Sequence, residues 1–273
     1  MLYITSLNSG SNGNCYYLGN DEDAILVDAG LSCRETLKRM QQLGLSIDKV
    51  RAIFISHEHT DHIKGLLSLT NQFNIPVYCS PKTHLGALQG HIRSEAIYFY
   101  PGCPLWLGSL SITAFKKFHD AVEPHSFIIQ SGEVCAGVFT DLGRCCTELK
   151  KYFALCHAAF LEANYDIDML ENGRYPWFLK NRIRGGLGHL SNKEALELFR
   201  SCKPEFMTHL LLSHLSADNN CPELILNTFL PYAQKTKISI AGRHAATPLF
   251  TIKPGQSKAS RFVPIPVQMQ LWA

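Results

Sequence analysis

The segment Ile53-Phe54-Ile55-Ser56-His57-Glu58-His59-Thr60-Asp61-His62 constrains this chain more than any other, because four metal-ligand side chains fall within six positions directly after an apolar run. Residues 51–56 are rich in β-branched and aromatic side chains and predict a buried strand, while 63–74 has apolar spacing near three and four and predicts a helix. His57, His59, Asp61 and His62 therefore occupy a strand-to-helix loop. A regular strand would send alternate side chains to opposite faces, whereas a loop can turn them inward to one point. Neutral imidazoles bind zinc, iron, cobalt or manganese, and a carboxylate beside them can serve a second ion. These residues favour a polynuclear metal site over a polar loop with chance histidines.

Such a site needs further ligands, and later apolar segments end on suitable residues. The strand predicted at 109–115 is followed by His119 and Asp120, that at 134–140 by Asp141, and that at 206–213 by His214. Each places a ligand-type side chain where a strand leaves the core, which is where open α/β folds and sandwiches build sites. Further strands are expected at 24–28, 77–80, 126–130, 158–161 and 237–241. Helices are expected at 34–43, 192–202 and 222–233, the second with a start signal in Ser191-Asn192 followed by Glu194.

With 273 residues, 46% of them apolar, and no linker-like stretch, the chain is expected to form one domain over 1–273, with the proline-rich 253–273 as an extended C-terminal tail. Prolines limit 262–267 to an edge position. No apolar run reaches the ~18 residues of a membrane span, and the first ten residues lack both a basic segment and a long apolar one. A soluble, cytoplasmic protein with no membrane partner is the expectation. The 10 cysteines are scattered without a Cys-x-x-Cys pair, which argues against a zinc ribbon or a disulfide scaffold.

The net charge of +3 does not by itself call for nucleic acid, so local charge matters more. Lys180, Arg182 and Arg184 precede Gly185-Gly186-Leu187-Gly188-His189, a placement that suits phosphate binding and equally suits a solvated helix face. Trp177 can stack on a base or serve a rim or core role. The glycine- and serine-rich stretch 6–14 lacks the lysine and spacing of a P-loop and reads as a turn between two N-terminal strands, although its backbone N–H groups could meet a phosphate. His84, His91, His125, His157, His209 and His244 read as structural, with Arg243-His244 a conceivable substrate contact.

The order His-x-His-x-Asp-His, then His, then Asp, then His resembles the metallo-β-lactamase superfamily, carried here by His57, His59, Asp61, His62, His119, Asp141 and His214. The phrases Ser9-Gly10-Ser11-Asn12-Gly13-Asn14-Cys15, Leu26-Val27-Asp28-Ala29-Gly30, Thr140-Asp141-Leu142-Gly143, Leu161-Glu162-Ala163-Asn164-Tyr165-Asp166 and Gly188-His189-Leu190-Ser191-Asn192 are similar to its bacterial YycJ/WalJ-type branch, taken to be 5′-to-3′ DNA exonucleases. The resemblance implies an α/β fold, a four-layer αββα sandwich with metals at one edge between the sheets. It also implies two divalent ions, zinc or manganese with iron as a further option. His57, His59 and His119 would hold the first ion, Asp61, His62 and His214 the second, with Asp141 bridging. In two-metal sites with ions about 3.5–4 Å apart, a bridging water becomes hydroxide, which would attack phosphorus in a DNA end. Asp61 is implied at the reacting centre. His189 is the candidate general acid and Glu162 the carboxylate that keeps it protonated, unless the two only prop the metal site. Asp28 and Asp120 are expected to support ligands from behind, and Lys180, Arg182, Arg184 and Trp177 to meet substrate.

Departures from other branches narrow the substrate. Classic β-lactamases usually carry cysteine where Asp141 stands, the RNA-processing β-CASP branch inserts a domain that the short Asp141–His214 interval leaves no room for, and flavodiiron reductases carry glutamate where His59 stands. A small-molecule phosphodiesterase or a glyoxalase-type thioesterase remains the alternative, and a non-catalytic metal-stabilised binding module a minor one.

Overall fold

Alternation along the strands decides the layering of the computed structural model, which describes residues 1–88, 90–92 and 96–254. One seven-stranded sheet contains β1 (Leu2–Asn8), β2 (Cys15–Gly19), β3 (Ala24–Val27), β4 (Val50–Phe54), β5 (Val77–Cys79), β6 (Ile97–Tyr98) and β14 (Phe250–Ile252), in the order β14-β1-β2-β3-β4-β5-β6. The other contains β7 (Pro104–Leu107), β8 (Leu110–Lys116), β9 (His125–Ser131), β10 (Val134–Phe139), β11 (Ala158–Glu162), β12 (His209–Ser213) and β13 (Lys237–Ile240), in the order β13-β12-β11-β10-β9-β8-β7.

Tyr16 and Leu18 of β2, Ile25 and Val27 of β3, and Ala52 and Phe54 of β4 meet Ile112, Phe127, Val138 and Phe160 of the second sheet in a core between the two. Tyr17, Leu26 and Ile53, one residue out of phase, pack the opposite face of the first sheet against Met40 of α1 (Cys33–Gln42) and Leu66 and Leu69 of α3 (Leu66–Phe73). Phe139, Ala159 and Leu161 likewise face α5 (Thr147–Phe153), α8 (Asn192–Cys202) and α9 (Pro222–Phe229). The period of two along each strand thus yields the four-layer αββα sandwich expected from the sequence. The short helices α2 (Thr60–Ile63), α4 (Pro81–Thr83) and α6 (Ile167–Asn172), with α7 (Trp177–Arg184), decorate the edges.

The helix expected at 63–74 is broken. A Cβ on Gly65 would lie 1.7 Å from the Leu31 carbonyl oxygen, and the Gly65 N–H donates to Ala29 at 2.8 Å, so the chain leaves α2 here and restarts as α3. The helix expected at 222–233 ends at Phe229 and tightens into a 3₁₀ turn over Leu230–Tyr232, because Pro231 has no N–H to continue the ladder. α8 matches its expected bounds and carries a capping box between Ser191 and Glu194. The tail expected at 253–273, including its edge strand, lies outside the described residues from 255 onward.

Strands β3, β4 and β5 run parallel, as do β10 to β13, so several carboxyl ends open on one rim. Among the described residues no helix is long and apolar enough to cross a membrane.

Candidate metal centre

Three strands end on residues in the left-handed region: Asp28 after β3 (φ 63°), Asp141 after β10 (φ 54°) and His214 just beyond β12 (φ 56°). Non-glycine residues adopt this conformation at a cost, and it recurs at functional sites. Here each reversal brings a side chain to the rim. Between β4 and α2 the loop delivers His57, His59, Asp61 and His62, and the loop after β8 delivers His119 and Asp120. A Cβ on Gly30 would lie 1.7 Å from the Asp61 carbonyl oxygen, so the turn after β3 closes on the cluster only without a side chain there.

Hydrogen bonds orient the imidazoles. The buried Asp28 carboxylate accepts from the Ser56 N–H at 2.8 Å and its hydroxyl at 2.9 Å, and from His62 Nδ1 at 2.7 Å. His62 Nε2 is thereby aimed at Asp141 Oδ2, 3.3 Å away, and Asp61 Oδ2, 3.7 Å away. His119 Nδ1 donates to the Gly188 carbonyl at 2.9 Å, leaving Nε2 3.9 Å from Asp141 Oδ1. His57 Nε2 stands 3.2 Å from His59 Nδ1, and His214 Nε2 stands 3.4 Å from Asp141 Oδ1 and 3.8 Å from Asp61 Oδ2.

Among the described residues, His119 Nε2, His214 Nε2 and Asp141 Oδ2 are buried and form no hydrogen bond, although charged neighbours stand within 4 Å. Such atoms cost about 1–3 kcal/mol each when nothing meets them, and all three face one volume. His57, His59 and His119 offer ligand atoms within 4.8 Å of one another, as do Asp61, His62 and His214, and Asp141 forms a like group with His57 and His62. The donor set fits divalent cations of the zinc, manganese and iron type.

The charges divide the cluster. Burial, with His62 and Lys117 nearby, pushes His57 well below the ordinary imidazole range, and burial carries His119 down to about 4, so both are neutral bases. Burial opposes charge on His62 as well, yet Asp28 and Asp141 raise it to about 10. His214 moves up in the same way against its burial, through Asp141, Asp61 and Glu162. Burial works against the Asp141 carboxylate, but His214, His62 and Lys117 hold it well below the usual range.

Beside the cluster, Glu162 ends β11 fully buried. Its Oε2 accepts from the N–H groups of Leu142 at 2.5 Å and Leu190 at 3.3 Å, while Oε1 lies 2.7 Å from His189 Nδ1 and 3.3 Å from His214 Nδ1. Burial raises its pKa, and His189 and His214 more than offset that. The His189 ring stacks on His214 with centroids 5.1 Å apart and keeps 22% of its side chain exposed.

The basic segment falls on α7, and its arginines are already paired. Arg182 Nε donates to Asp120 Oδ2 at 2.6 Å, Arg184 pairs with Glu171 and with Asn181, and Lys180 Nζ donates to the Glu171 carbonyl at 2.6 Å. Trp177 and Phe178 at the start of the same helix are 75% and 71% exposed. Sequence reasoning missed Asn14, whose Nδ2 lies 3.1 Å from both Asp61 Oδ2 and His62 Nε2, Ser9, whose hydroxyl accepts the His214 N–H at 2.8 Å, and Asn164, which holds the His214 carbonyl at 2.7 Å. Their signal was position: each stands in a segment quoted for its resemblance. His125 is a buried core histidine, edge-on to Phe99 at 5.0 Å and carried down to about 4 by burial.

Comparison with known proteins agrees with this geometry. Residues 9–127 match the metallo-beta-lactamase superfamily. The chain is 36% identical to the exodeoxyribonuclease YycJ of Bacillus anthracis over 226 residues, covering 82% of this chain and 86% of that protein. It is 32% identical to the exodeoxyribonuclease WalJ of Streptococcus pneumoniae serotype 2 over 226 residues, 80% of this chain and 83% of the relative. Among solved structures, the fold is shared with the metallo-beta-lactamase fold protein YhfI of Bacillus subtilis, at a TM-score of 0.72 and 19% identity, over 90% of this chain and 98% of that one. A sandwich whose strand ends gather imidazoles and carboxylates, and relatives matched over more than four-fifths of their length, lead to one assignment: the chain belongs to the metallo-β-lactamase superfamily, as a metal-dependent hydrolase of the branch that holds the YycJ and WalJ exodeoxyribonucleases.

Proposed function

We propose that this hydrolase is a DNA phosphodiesterase that digests duplex ends in the 5′-to-3′ direction in the cytoplasm. The observation that carries the reading is the Glu162–His189 pair, 2.7 Å apart, set against a double imidazole–carboxylate cluster. The names of the two relatives support DNA as the substrate, and ten free cysteines suit a reducing compartment.

His57, His59 and His119 would hold one divalent ion and Asp61, His62 and His214 a second, with Asp141 shared. When bound, such ions supply Lewis-acid polarisation of a phosphoryl oxygen and a water acidic enough to act as nucleophile at neutral pH. Zinc, manganese and iron all suit the donors. Asp28 fixes the His62 tautomer, so that Nε2 faces inward, and Gly188 does the same for His119. Glu162 accepts from His189 Nδ1 and orients the ring, so that His189 can give a proton to the leaving oxygen. Asp120, held by Arg182, buttresses the His119 side of the site. Trp177 offers a face for a base to stack on, and Lys180 and Arg184 flank it on α7, where a phosphate would compete with Glu171 for them.

The test is digestion of duplex DNA labelled at either the 5′ or the 3′ end by the manganese-loaded protein and its Asp141→Ala variant. Early release of the 5′ label by wild type, with turnover lost in the variant while DNA binding persists, is the expected result. No release with manganese, zinc or iron would refute the nuclease reading and point to small phosphodiesters or thioesters.

A further inference from the structure

The arginines of α7 pair with carboxylates, whereas a guanidinium beside His214 forms no ion pair among the described residues. Arg243 lies just past β13, in a segment that lines a cavity of about 860 Å³ with Ser9, Leu215 and Asn220. Its Nη2 donates to the carbonyl of Leu215, the neighbour of His214, at 2.6 Å. Among the described residues it forms no ion pair, a state it shares with Arg34, Arg144 and Arg200, and the carboxylate that feels its charge, Asp218, is itself held by Arg174 and Tyr175.

The glycine-rich turn after β1 folds against this guanidinium. The Asn12 side chain donates to the Arg243 carbonyl at 2.7 Å, and a Cβ on Gly10 would stand 3.2 Å from Arg243 Nη2. The turn is closed by the Gly13 N–H on the Gly10 carbonyl at 2.9 Å, and the Gly10 N–H is taken by Asn14 Oδ1 at 3.0 Å. The N–H groups of Ser11 and Asn12, both exposed residues, have no partner among the described residues. The same turn reaches the centre directly, because Asn14 Nδ2 lies 3.1 Å from Asp61 and from His62, and the Ser9 hydroxyl holds the His214 N–H. A forked cation with unspent donors, next to unpaired backbone N–H groups, is the chemistry that binds a phosphate.

We propose that Arg243 and the Ser11 and Asn12 N–H groups form a phosphate subsite beside the metal centre, which seats a nucleic-acid phosphate one step from the scissile bond. The proposal rests on the nucleic-acid reading above. It makes Arg243 a substrate-positioning residue and gives the α7 arginines no part in this subsite.

The experiment compares manganese-loaded wild type, Arg243→Gln and Arg243→Lys on duplexes labelled at their 3′ ends that carry either a 5′-phosphate or a 5′-hydroxyl. Loss of a hydrogen-bonded charge partner predicts a KM about ten- to a hundredfold higher for Arg243→Gln with kcat retained, and partial recovery in Arg243→Lys. A rise confined to the 5′-phosphorylated duplex assigns the subsite to the terminal phosphate, and an equal rise on both assigns it to the backbone. An unchanged KM, or a fall in kcat alone, overturns the proposal. If wild type digests neither duplex, the nuclease reading fails, and fluorescence anisotropy with the same duplexes still decides the subsite. Binding weakened by Arg243→Gln then supports it, and equal binding overturns it.

Discussion

Asp28 shows how much one side chain can decide without touching a metal position. Its carboxylate takes three hydrogen bonds, two from Ser56 and one from His62, while fully buried and at positive φ. Asparagine tolerates the left-handed conformation, so Asp28→Asn tests the charge with the backbone preserved. Metal affinity is expected to fall about 10- to 100-fold, read by competition with a chromophoric chelator, with an unchanged circular dichroism spectrum. The same carboxylate raises His62 to about 10 in the metal-free chain. An ion at that imidazole must displace a proton, so binding is expected to weaken as pH falls and to release protons, measured by calorimetry in buffers of different ionisation enthalpy. The sign for stability follows from the raised folded value. The contribution of His62 to the metal-free fold is fully present below its ordinary pKa of about 6.5 and is lost as pH rises through about 10. Thermal unfolding of the stripped protein across that interval should therefore show a falling Tm from this group.

Helix α7 separates two roles that look alike in sequence. Lys180, Arg182 and Arg184 read equally as a phosphate-binding run or a solvated helix face, and the fold pairs both exposed arginines with carboxylates, while Trp177 and Phe178 at the start of the helix stand open. Arg182 instead ties the helix to Asp120 beside His119, so α7 is a strut for the centre as well as a candidate wall of the DNA site. Since Trp177 is 75% exposed, Trp177→Ala should leave Tm unchanged. Base stacking is worth about 1–3 kcal/mol, so the same variant should weaken duplex-end binding about 5- to 150-fold, measured by fluorescence anisotropy. Unaltered binding would remove Trp177 from the proposed DNA site.

Across the molecule, the centre joins the two sheets. Asp28 and the His57–His62 loop belong to one, and His119, Asp141, Glu162 and His214 to the other, with the apolar core beneath them. Ions bound there would cross-link the layers, and ligands that bind only the folded state raise its stability by mass action. Chelation is expected to lower Tm by about 10 °C for ions held near a thousandfold above their Kd, as followed by scanning calorimetry, with recovery on adding manganese.

The fold was legible where a local pattern carries it. Apolar runs rich in β-branched and aromatic residues marked β3, β4, β10 and β11, and helical spacing with a capping box marked α8 almost to the residue, because a buried run and a cap are properties of near neighbours. The αββα stacking itself came through the resemblance, since no local period states which sheet faces which. The histidine cluster was legible for its density, and His119, Asp141 and His214 for standing at strand ends. What stayed hidden are the pairings between distant segments. β14 closing on β1, Asn14 reaching Asp61 and His62, Arg182 held by Asp120, and Arg243 folded against the Ser11–Asn12 turn are examples. Asn12 and Arg243 lie 231 residues apart, and the entropy of closing so long a loop is offset by burial of the whole core rather than by any local preference. Residue chemistry and its local spacing therefore named the metal donors, while packing of the two sheets decided which distant side chains stand around them, because those contacts join segments that no local pattern connects.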